Sequence, residues 1–300
     1  MWPQNFIQNS PVHPIILPET EAAGVQLFIK RDDLLHPGIS GNKWRKLKYN
    51  ILALFQNKKK GIITLGGAFS NHLHAVSVAG KEFHFQTVGI VRGEKPENLS
   101  PTLQNCIANG MIIHYVSRTD YKEKLDSGLI KSIIEQYPEL EYIPEGGENE
   151  LAKKGCSEIL DEISIKQDFV CVPCGTGTTL AGILNSKNLD CAVLGFPVLK
   201  GAETSILQNI NSTAEEPTRI GKLTLISDYH FGGYAKYNLE LIQFMKKFQS
   251  NTQILLDQVY TGKMMYGILD KIKSGYFPKG SVILAIHTGG LQGRLPELNL

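Results

Sequence analysis

The sequence has no long hydrophobic run, no excess of charge of one sign and few cysteines, and each absence excludes a class of protein. No stretch approaches the 18 apolar residues of a membrane-spanning helix. The 31 basic and 29 acidic side chains leave a net charge of +2, whereas nucleic-acid-binding proteins commonly show a basic stripe or excess. The N-terminal residues lack a basic segment followed by an apolar core. We therefore expect no signal peptide, no nucleic-acid or membrane partner, and a cytoplasmic location.

The cysteines are too few, and odd in number, for a disulfide scaffold. There are five in a chain of 300 residues. Cys171 and Cys174 have the spacing of a redox motif, but Cys171 lies in an apolar, strand-like run and Cys174 touches a glycine-rich turn. No second Cys/His pair lies at zinc spacing. We therefore expect neither a redox centre nor a metal site.

Short apolar runs alternate with helical patterns along most of the chain. Apolar residues at helical spacing predict a helix over 44–55, and residues 61–65 are apolar in the way typical of a buried parallel strand. The repeated alternation predicts an α/β fold with an open, mainly parallel sheet. The proline-punctuated residues 1–24 are predicted to be irregular, and residues 142–147 are predicted to form a turn.

A glycine- and threonine-rich loop follows the predicted strand that contains Cys171. The loop Gly175-Thr176-Gly177-Thr178-Thr179 leads into a predicted helix. Helix N-termini bind phosphate, because their first N–H groups have no partner inside the helix. The loop has neither the third glycine of a dinucleotide fingerprint nor the Gly-Lys-Ser/Thr of a Walker loop. A monophosphate site is therefore favoured over a plain tight turn.

A second glycine loop, Gly66-Gly67-Ala68-Phe69-Ser70-Asn71-His72, follows the predicted strand at residues 61–65. Two glycines before a helix start can form an anion-binding nest. Ser70 could accept or deliver a proton, and Asn71 could bond to a carboxylate or phenolate oxygen. A helix cap alone would explain one of these residues, but not the glycine pair together with His72.

The segment Ser40-Gly41-Asn42-Lys43 places a lysine at the start of a predicted helix. An amine is a nucleophile only after it loses its proton, and burial or neighbouring cations lower a lysine pKa. Arg45 and Lys46 are such cations. On local grounds alone, a basic surface at the helix start is the simpler interpretation. The other motifs favour a chemical role for Lys43.

Three further motifs place polar or aromatic groups at turns and strand ends. His287-Thr288-Gly289-Gly290 ends a buried strand, where open α/β sheets bind ligands, and a neutral hydroxyl there suits a heteroaromatic nitrogen. Gln258-Val259-Tyr260-Thr261 presents a tyrosine that could lie against a ring. Gly232-Gly233-Tyr234 presents a phenol that could act as an acid or base.

In order and spacing, these motifs resemble the fold type II pyridoxal-phosphate enzymes, and more closely the 1-aminocyclopropane-1-carboxylate deaminase/D-cysteine desulfhydrase family, over about residues 25–290. The resemblance implies two three-layer α/β domains with open, mainly parallel sheets. Residues 1–47 with 153–300 would form the large cofactor-binding domain, and residues 48–152 the small one. Pyridoxal 5'-phosphate would be the cofactor, a small amino acid the substrate, and a homodimer the assembly.

The resemblance also implies a role for each motif. Lys43 would bind the cofactor as a Schiff base and later transfer a proton. Asn71 would bond to the ring hydroxyl, Tyr260 would stack on the pyridine, and Thr288, or alternatively Thr261, would lie at the pyridine nitrogen. The phosphate would be held by Cys174, Gly175, Thr176, Gly177, Thr178 and Thr179. The substrate would contact Ser70, Asn71, His72, Tyr234 and Thr261, with Ser70 and Tyr234 taking part in catalysis.

The resemblance leaves two activities of the family as alternatives for this chain. A D-cysteine-like substrate would be deprotonated at Cα and lose its β-thiolate, giving pyruvate, ammonia and sulfide, whereas a cyclopropane substrate would need ring opening. Relatives that act as the deaminase carry Glu where this chain has Thr261 and Leu where it has Thr288, so the desulfhydrase is favoured. Trp44 and His74 replace a usual Thr and Arg. They leave open a dehydratase or racemase acting on another D-amino acid, or a metabolite-binding protein without turnover.

Overall fold

The computed structural model describes residues 10–211 and 217–298, which divide into two compact units. The first comprises the described parts of Met1–Asn42 and Lys153–Leu300, and the second is Lys43–Ala152. Within the described residues, no helix is long and apolar enough to cross a membrane. The strands of the first unit are β1 (Val12–Ile15), β2 (Gln26–Lys30), β7 (Phe169–Cys174), β8 (Ala192–Pro197), β9 (Leu223–Leu225) and β10 (Val282–Ile286). The strands of the second are β3 (Gly61–Gly66), β4 (Gln86–Arg92), β5 (Ile112–Val116) and β6 (Leu140–Ile143).

The helices follow the strands in the alternation that the sequence predicts. Those of the first unit are α1 (Pro18–Ala23), α8 (Thr178–Leu184), α9 (Glu203–Asn211), α10 (Leu239–Thr252) and α11 (Thr261–Lys273). Helix α2 (Asn42–Gln56) begins at the last residue of the first unit and continues in the second. The remaining helices of the second unit are α3 (Asn71–Phe83), α4 (Pro101–Ala108), α5 (Arg118–Glu123), α6 (Gly128–Glu135) and α7 (Glu150–Ser157), of which α7 ends in the first unit.

The first unit is built on a six-stranded sheet in the order β1-β2-β10-β7-β8-β9, parallel except for the antiparallel edge pair β1–β2. Alternate residues of β7 point to opposite faces. Cys171 packs into a core that includes residues of α10 and α11, and Val172 packs into a second core with residues of α8 and α9. Burial on both faces explains why these strands read as continuous apolar runs.

The second unit contains a four-stranded, fully parallel sheet in the order β5-β4-β3-β6. Its central strand β3 is buried at every residue. Ile63, Leu65, Val88 and Ile90 form a core with residues of α5 and α6. The predicted α/β class with mainly parallel sheets is confirmed. The domain limits 1–47 with 153–300 and 48–152 stay a prediction.

Two expectations about local structure hold only in part. Part of the supposedly irregular N-terminal region forms β1 and α1. Proline is tolerated there because β1 is an edge strand and Pro18 occupies the first position of α1. The turn expected at residues 142–147 begins only at Pro144, whose carbonyl oxygen accepts from the Gly147 backbone N–H; residues 142 and 143 belong to β6, a strand of four residues. A strand this short gives too weak an alternation to be recognised from sequence.

Candidate active site

The start of α2 packs directly against the strand end that carries Thr288. Gly41 has φ +67°, and a Cβ atom there would lie 2.0 Å from the Thr288 carbonyl oxygen. That oxygen accepts a hydrogen bond of 3.1 Å from the Asn42 backbone N–H. Only glycine allows both the backbone angle and this approach. The contact fixes the first residue of α2, and Lys43 is the next residue in the chain.

His287 fixes the loop after β10 through two hydrogen bonds. Its Nδ1 accepts a hydrogen bond of 3.2 Å from the Gly289 backbone N–H, and its Nε2 lies 2.6 Å from the Leu255 carbonyl oxygen. These partners assign the proton to Nε2, which donates to Leu255. Within the described residues, no group hydrogen-bonds the Thr288 hydroxyl, although Thr288 is buried. This hydroxyl is therefore available to a ligand.

The glycine-threonine loop forms the N-terminus of α8, as predicted. Gly177 has φ +89° and caps the helix, and the hydroxyls of Thr176 and Thr178 lie 3.0 Å apart. The Thr179 hydroxyl accepts a hydrogen bond of 2.9 Å from the Asn42 side-chain amide. The loop is therefore tied to the residue that precedes Lys43.

Cys174 lies at the base of this loop, with its thiol turned into the protein. Its Sγ donates to the Val172 carbonyl oxygen at 3.3 Å. A Cβ atom on Gly195 would lie 3.3 Å from the same sulfur. Only the backbone of Cys174 is placed to contribute to a phosphate site. All five cysteines lie among the described residues, are buried and form no disulfide.

Asp257 organises the turn that presents Tyr260. Its carboxylate accepts backbone hydrogen bonds from Val259, Tyr260 and Thr261 at 2.8–2.9 Å. A Cβ atom on Gly175 would lie 3.2 Å from the Tyr260 phenol oxygen. The tyrosine therefore borders the phosphate loop, and the missing side chain of Gly175 makes room for its ring.

The Thr261 hydroxyl is used inside this turn. It donates to Asp257 Oδ1 at 2.7 Å and accepts from the Asp257 backbone N–H at 2.9 Å, and Thr261 is fully buried. Of the two candidates for the pyridine nitrogen, Thr288 therefore has the available hydroxyl. The substrate contact expected for Thr261 stays a prediction without a free hydroxyl to support it.

Tyr234 lies beside Tyr260, with ring centroids 6.2 Å apart and planes at 73°. Its exposed loop is held by a buried lysine, because Lys263 Nζ donates to the carbonyl oxygens of His230 and Gly233 at 2.8 Å. Burial lowers the pKa of Lys263 to about 8, against an opposing effect of Asp257. The expected catalytic phenol and the expected stacking ring are thus brought together in the first unit.

In the second unit, the basic segment after Lys43 is not a solvated surface. Lys43 is half-buried, whereas Arg45 and Lys46 are buried. Lys46 Nζ donates to the Gly146 carbonyl oxygen at 3.1 Å. The surface interpretation of this segment is therefore wrong for Arg45 and Lys46.

Ser70 and Asn71 occupy the first turn of α3. Ser70 is the N-cap, and its Oγ accepts a hydrogen bond of 3.2 Å from the Leu73 backbone N–H. In the part of the chain that the structure describes, neither the Ser70 hydroxyl proton nor the Asn71 amide has an acceptor or donor partner. The cap and the chemical role are therefore compatible for Ser70.

His72 is a neutral, buried imidazole in the same turn. Burial, followed by the positive charges of Lys43 and Lys46, holds its pKa well below the usual value. Its Nε2 lies 3.0 Å from the Thr64 hydroxyl, which donates to the Ile143 carbonyl oxygen at 2.7 Å. Nε2 must therefore donate to Thr64. Nδ1 is left as a buried acceptor without a partner among the described residues.

The two residues that depart from the family pattern lie in the second unit, one buried and the other half-buried. Trp44 is buried and stacks on Phe83, with ring centroids 6.3 Å apart. His74 lies one turn into α3, and burial lowers its pKa. Among the described residues, no group of His, Cys, Asp or Glu is arranged to hold a metal ion.

These groups fit pyridoxal phosphate. The glycine-rich start of α8, the Tyr260 ring beside it and the available Thr288 hydroxyl would suit the phosphate, ring and ring nitrogen of the cofactor. The family of pyridoxal-phosphate dependent enzymes matches residues 4–289. The chain belongs to this family and has the fold type II architecture of a pyridoxal-phosphate lyase or deaminase.

Individual relatives indicate which members of this family the chain is similar to. A Pyrococcus horikoshii protein provisionally named 1-aminocyclopropane-1-carboxylate deaminase is 32% identical over 90% of this chain and 86% of its own length. An Arabidopsis thaliana mitochondrial protein, named bifunctional D-cysteine desulfhydrase/1-aminocyclopropane-1-carboxylate deaminase, is 30% identical over 95% of this chain and 77% of its own. The crystal structure of an ACC deaminase homologue superimposes with a TM-score of 0.79 at 28% identity, over 96% of this chain and 93% of the other.

Sequence reasoning missed the residues that position the site. Asp257, Asn42, Thr64 and Lys263 touch expected site residues but were not predicted to act. Asp257 could have been found, because an aspartate shortly before a predicted helix is a common capping residue. Lys263 contacts residues that are distant from it in sequence, and Thr64 lies in an unremarkable apolar run. No local sequence pattern indicates either contact.

Proposed function

We propose that the protein eliminates the β-substituent of a D-amino acid, with D-cysteine as the reference substrate. The observation that carries the proposal is the Thr261 hydroxyl, which is committed to Asp257 where deaminase-type relatives are expected to have a glutamate. The position therefore supplies neither a carboxylate nor a free hydroxyl. Thr288 instead offers a neutral hydroxyl to the ring nitrogen.

The reaction needs one proton removed from Cα and one bond broken at Cβ. D-Cysteine and water would give pyruvate, ammonia and hydrogen sulfide, so that no oxidant or reductant is required. The cofactor supplies the electron sink for the carbanion at Cα. Lys43 would move the Cα proton, because it is the lysine placed next to the Asn42–Thr288 contact in the chain.

Other residues would orient the substrate. The Ser70 hydroxyl proton and the Asn71 amide are available donors for a carboxylate or a phenolate oxygen. His72 would stay uncharged beside them, since burial and the positive charges of Lys43 and Lys46 lower the pKa of this imidazole. Tyr234 would supply a phenol close to the stacking ring of Tyr260.

Sulfide, keto acid and chirality assays test the substrate. Purified holoenzyme should release sulfide and pyruvate in equal amounts from D-cysteine and far less from L-cysteine. Release of 2-oxobutanoate from 1-aminocyclopropane-1-carboxylate without sulfide from D-cysteine would overturn the proposal. Racemisation of a D-amino acid without keto acid formation would replace it with a racemase.

Two further expectations are retained as proposals. A homodimer is expected for this family type and can be measured by light scattering coupled to size-exclusion chromatography. A cytoplasmic location can be measured by fractionation of the source cells. Neither bears on the chemistry assigned to Lys43.

A further inference from the structure

A cavity outside the residues already assigned lies within the second unit, at the carboxyl ends of β4 and β5. Its volume is about 430 Å³, and its wall includes Ala68, Arg92, Glu94, Tyr115 and Arg118. Arg92 is the last residue of β4, and Arg118 is the first residue of α5, separated from β5 by Ser117 alone. The parallel pairing of β4 with β5 brings these positions to the same edge of the sheet. Carboxyl ends of parallel strands are the usual ligand-binding edge of such sheets.

The charge of the wall favours an anion. Among the described residues, neither Arg92 nor Arg118 forms an ion pair, although Arg92 lies over the Tyr121 ring at 5.6 Å from its centroid. Glu94 is the acidic residue on the wall, so two guanidinium groups face one carboxylate. Guanidinium groups bind carboxylates through paired, directed hydrogen bonds.

A buried hydroxyl on the same wall lacks a partner. The Tyr115 phenol oxygen is inaccessible and makes no hydrogen bond to any described residue. An unsatisfied buried hydroxyl is unfavourable, and a small rotation of the Tyr115 side chain would bring its hydroxyl to a ligand atom in the cavity. Tyr115 therefore gives the cavity a second, independent polar feature beside the two arginines.

Apart from Ser117, whose hydroxyl donates to Asp120, the rest of the wall carries no polar side chain and lies close to the loop of Ser70. Val91, Pro96 and Leu103 line the cavity together with Ala68, and Ser70 lies two residues after Ala68. The Ala68 carbonyl oxygen accepts a hydrogen bond from Ser100. A molecule in this cavity would thus contact the loop that leads into the first turn of α3.

We propose that this cavity is a second ligand site, which binds a small organic carboxylate with an apolar body. The carboxylate pairs with Arg92 and Arg118, the Tyr115 hydroxyl bonds to it, and the body packs on Leu103 and its apolar neighbours. The carboxylate belongs either to the far end of a long substrate or to a separate effector that acts through the Ala68–Ser70 loop. The site does not depend on the identity of the primary substrate.

Isothermal titration of the holoenzyme with benzoate tests binding directly. We expect benzoate to bind, Arg92→Gln and Arg118→Gln each to weaken it about tenfold, and Tyr115→Phe to weaken it several-fold, since charge-assisted bonds are stronger than neutral ones. Lys122→Gln is the matched control, because it removes an exposed positive charge from the same helix, outside the cavity wall. Absence of benzoate binding overturns the proposal, as does equal binding by all four variants.

Ser70→Ala and steady-state kinetics separate this site from the primary one. Benzoate binding should survive Ser70→Ala, and its loss there with retention in Arg92→Gln would place benzoate at the primary site and overturn the proposal. If benzoate competes with a substrate that carries a second carboxylate at its far end, and Arg92→Gln relieves this inhibition, the cavity binds the far end of the substrate. A change in kcat at saturating substrate, absent in Arg92→Gln, identifies an effector.

Discussion

Gly41→Ala probes the contact that positions Lys43, and its effect can be estimated from the structure. Gly41 has φ +67°, and an alanine Cβ would lie 2.0 Å from the Thr288 carbonyl oxygen. Ordinary contacts begin at 3.4 Å, so the carbonyl would have to recede by about 1.4 Å. That displacement breaks the bond of 3.1 Å from the Asn42 N–H to the same oxygen.

Three effects contribute to the expected loss of stability. A left-handed alanine costs roughly 1–2 kcal/mol, the displaced backbone about 1–3 kcal/mol, and the lost hydrogen bond about 1 kcal/mol. We expect the free energy of unfolding to fall by about 4 kcal/mol. Activity should fall by about 100-fold in the molecules that remain folded, because a displacement near 1 Å misplaces a catalytic group.

Gly110→Ala is the matched control. Gly110 has φ +91°, but a Cβ atom there would meet nothing within 4 Å, so only the backbone penalty of roughly 1–2 kcal/mol applies. Urea unfolding followed by circular dichroism measures both variants, and turnover at a temperature where both are folded measures the second effect. Equal destabilisation of the two variants, or full activity in Gly41→Ala, would refute the reasoning.

Three other substitutions test the supports of the site. Asp257→Asn should lower the free energy of unfolding by about 3 kcal/mol, because an amide cannot accept all four bonds that the carboxylate accepts; urea unfolding measures this, and a loss below 1 kcal/mol contradicts it. Ser70→Ala should lower the free energy of unfolding by about 1 kcal/mol, because a helix cap is lost. It should lower kcat/KM by far more than this loss of stability explains; a decrease in kcat/KM that the loss of stability accounts for would indicate that Ser70 is only a cap. Burial lowers the pKa of Lys263 in the folded protein to about 8, whereas in the unfolded chain this lysine keeps its proton to a higher pH. Wild type should therefore gain stability relative to Lys263→Met between about pH 8 and 10.5, and a flat difference across a pH series of unfolding curves contradicts this.

The fold class followed from the sequence because its signal is repeated many times. Buried strands such as β3 and β10 are continuous apolar runs, and the helices between them have clear periodicity. The elements that were missed had weak or misleading patterns. β1 contains Pro14 at a sheet edge, and β6 has four residues.

The candidate site was only partly predictable, for a different reason. Lys43, Ser70 and the loop at Thr178 lie in motifs whose residue types suggest chemistry by themselves. The state of Thr261 depends on Asp257, and the neutral state of His72 depends on burial and on two lysines. Such contacts arise only in the folded chain, and short-range patterns do not indicate them.

The visible absorption of the cofactor-loaded protein offers one check on the role of Lys43. The wild type should show a band from cofactor bound to an amine, and Lys43→Ala should lose it while keeping its fold by circular dichroism. A second lysine complicates this test. Lys263 is buried with a lowered pKa of about 8 and could also react with an aldehyde when Lys43 is absent.

Borohydride reduction of the wild-type holoenzyme, followed by peptide mass spectrometry, identifies the lysine that binds the cofactor. Reduction makes the bond between the cofactor and its lysine permanent, so the modified residue can be read from the fragment masses. We expect the modification on Lys43. Modification of Lys263 instead, or of no lysine in protein supplied with pyridoxal phosphate, would contradict it.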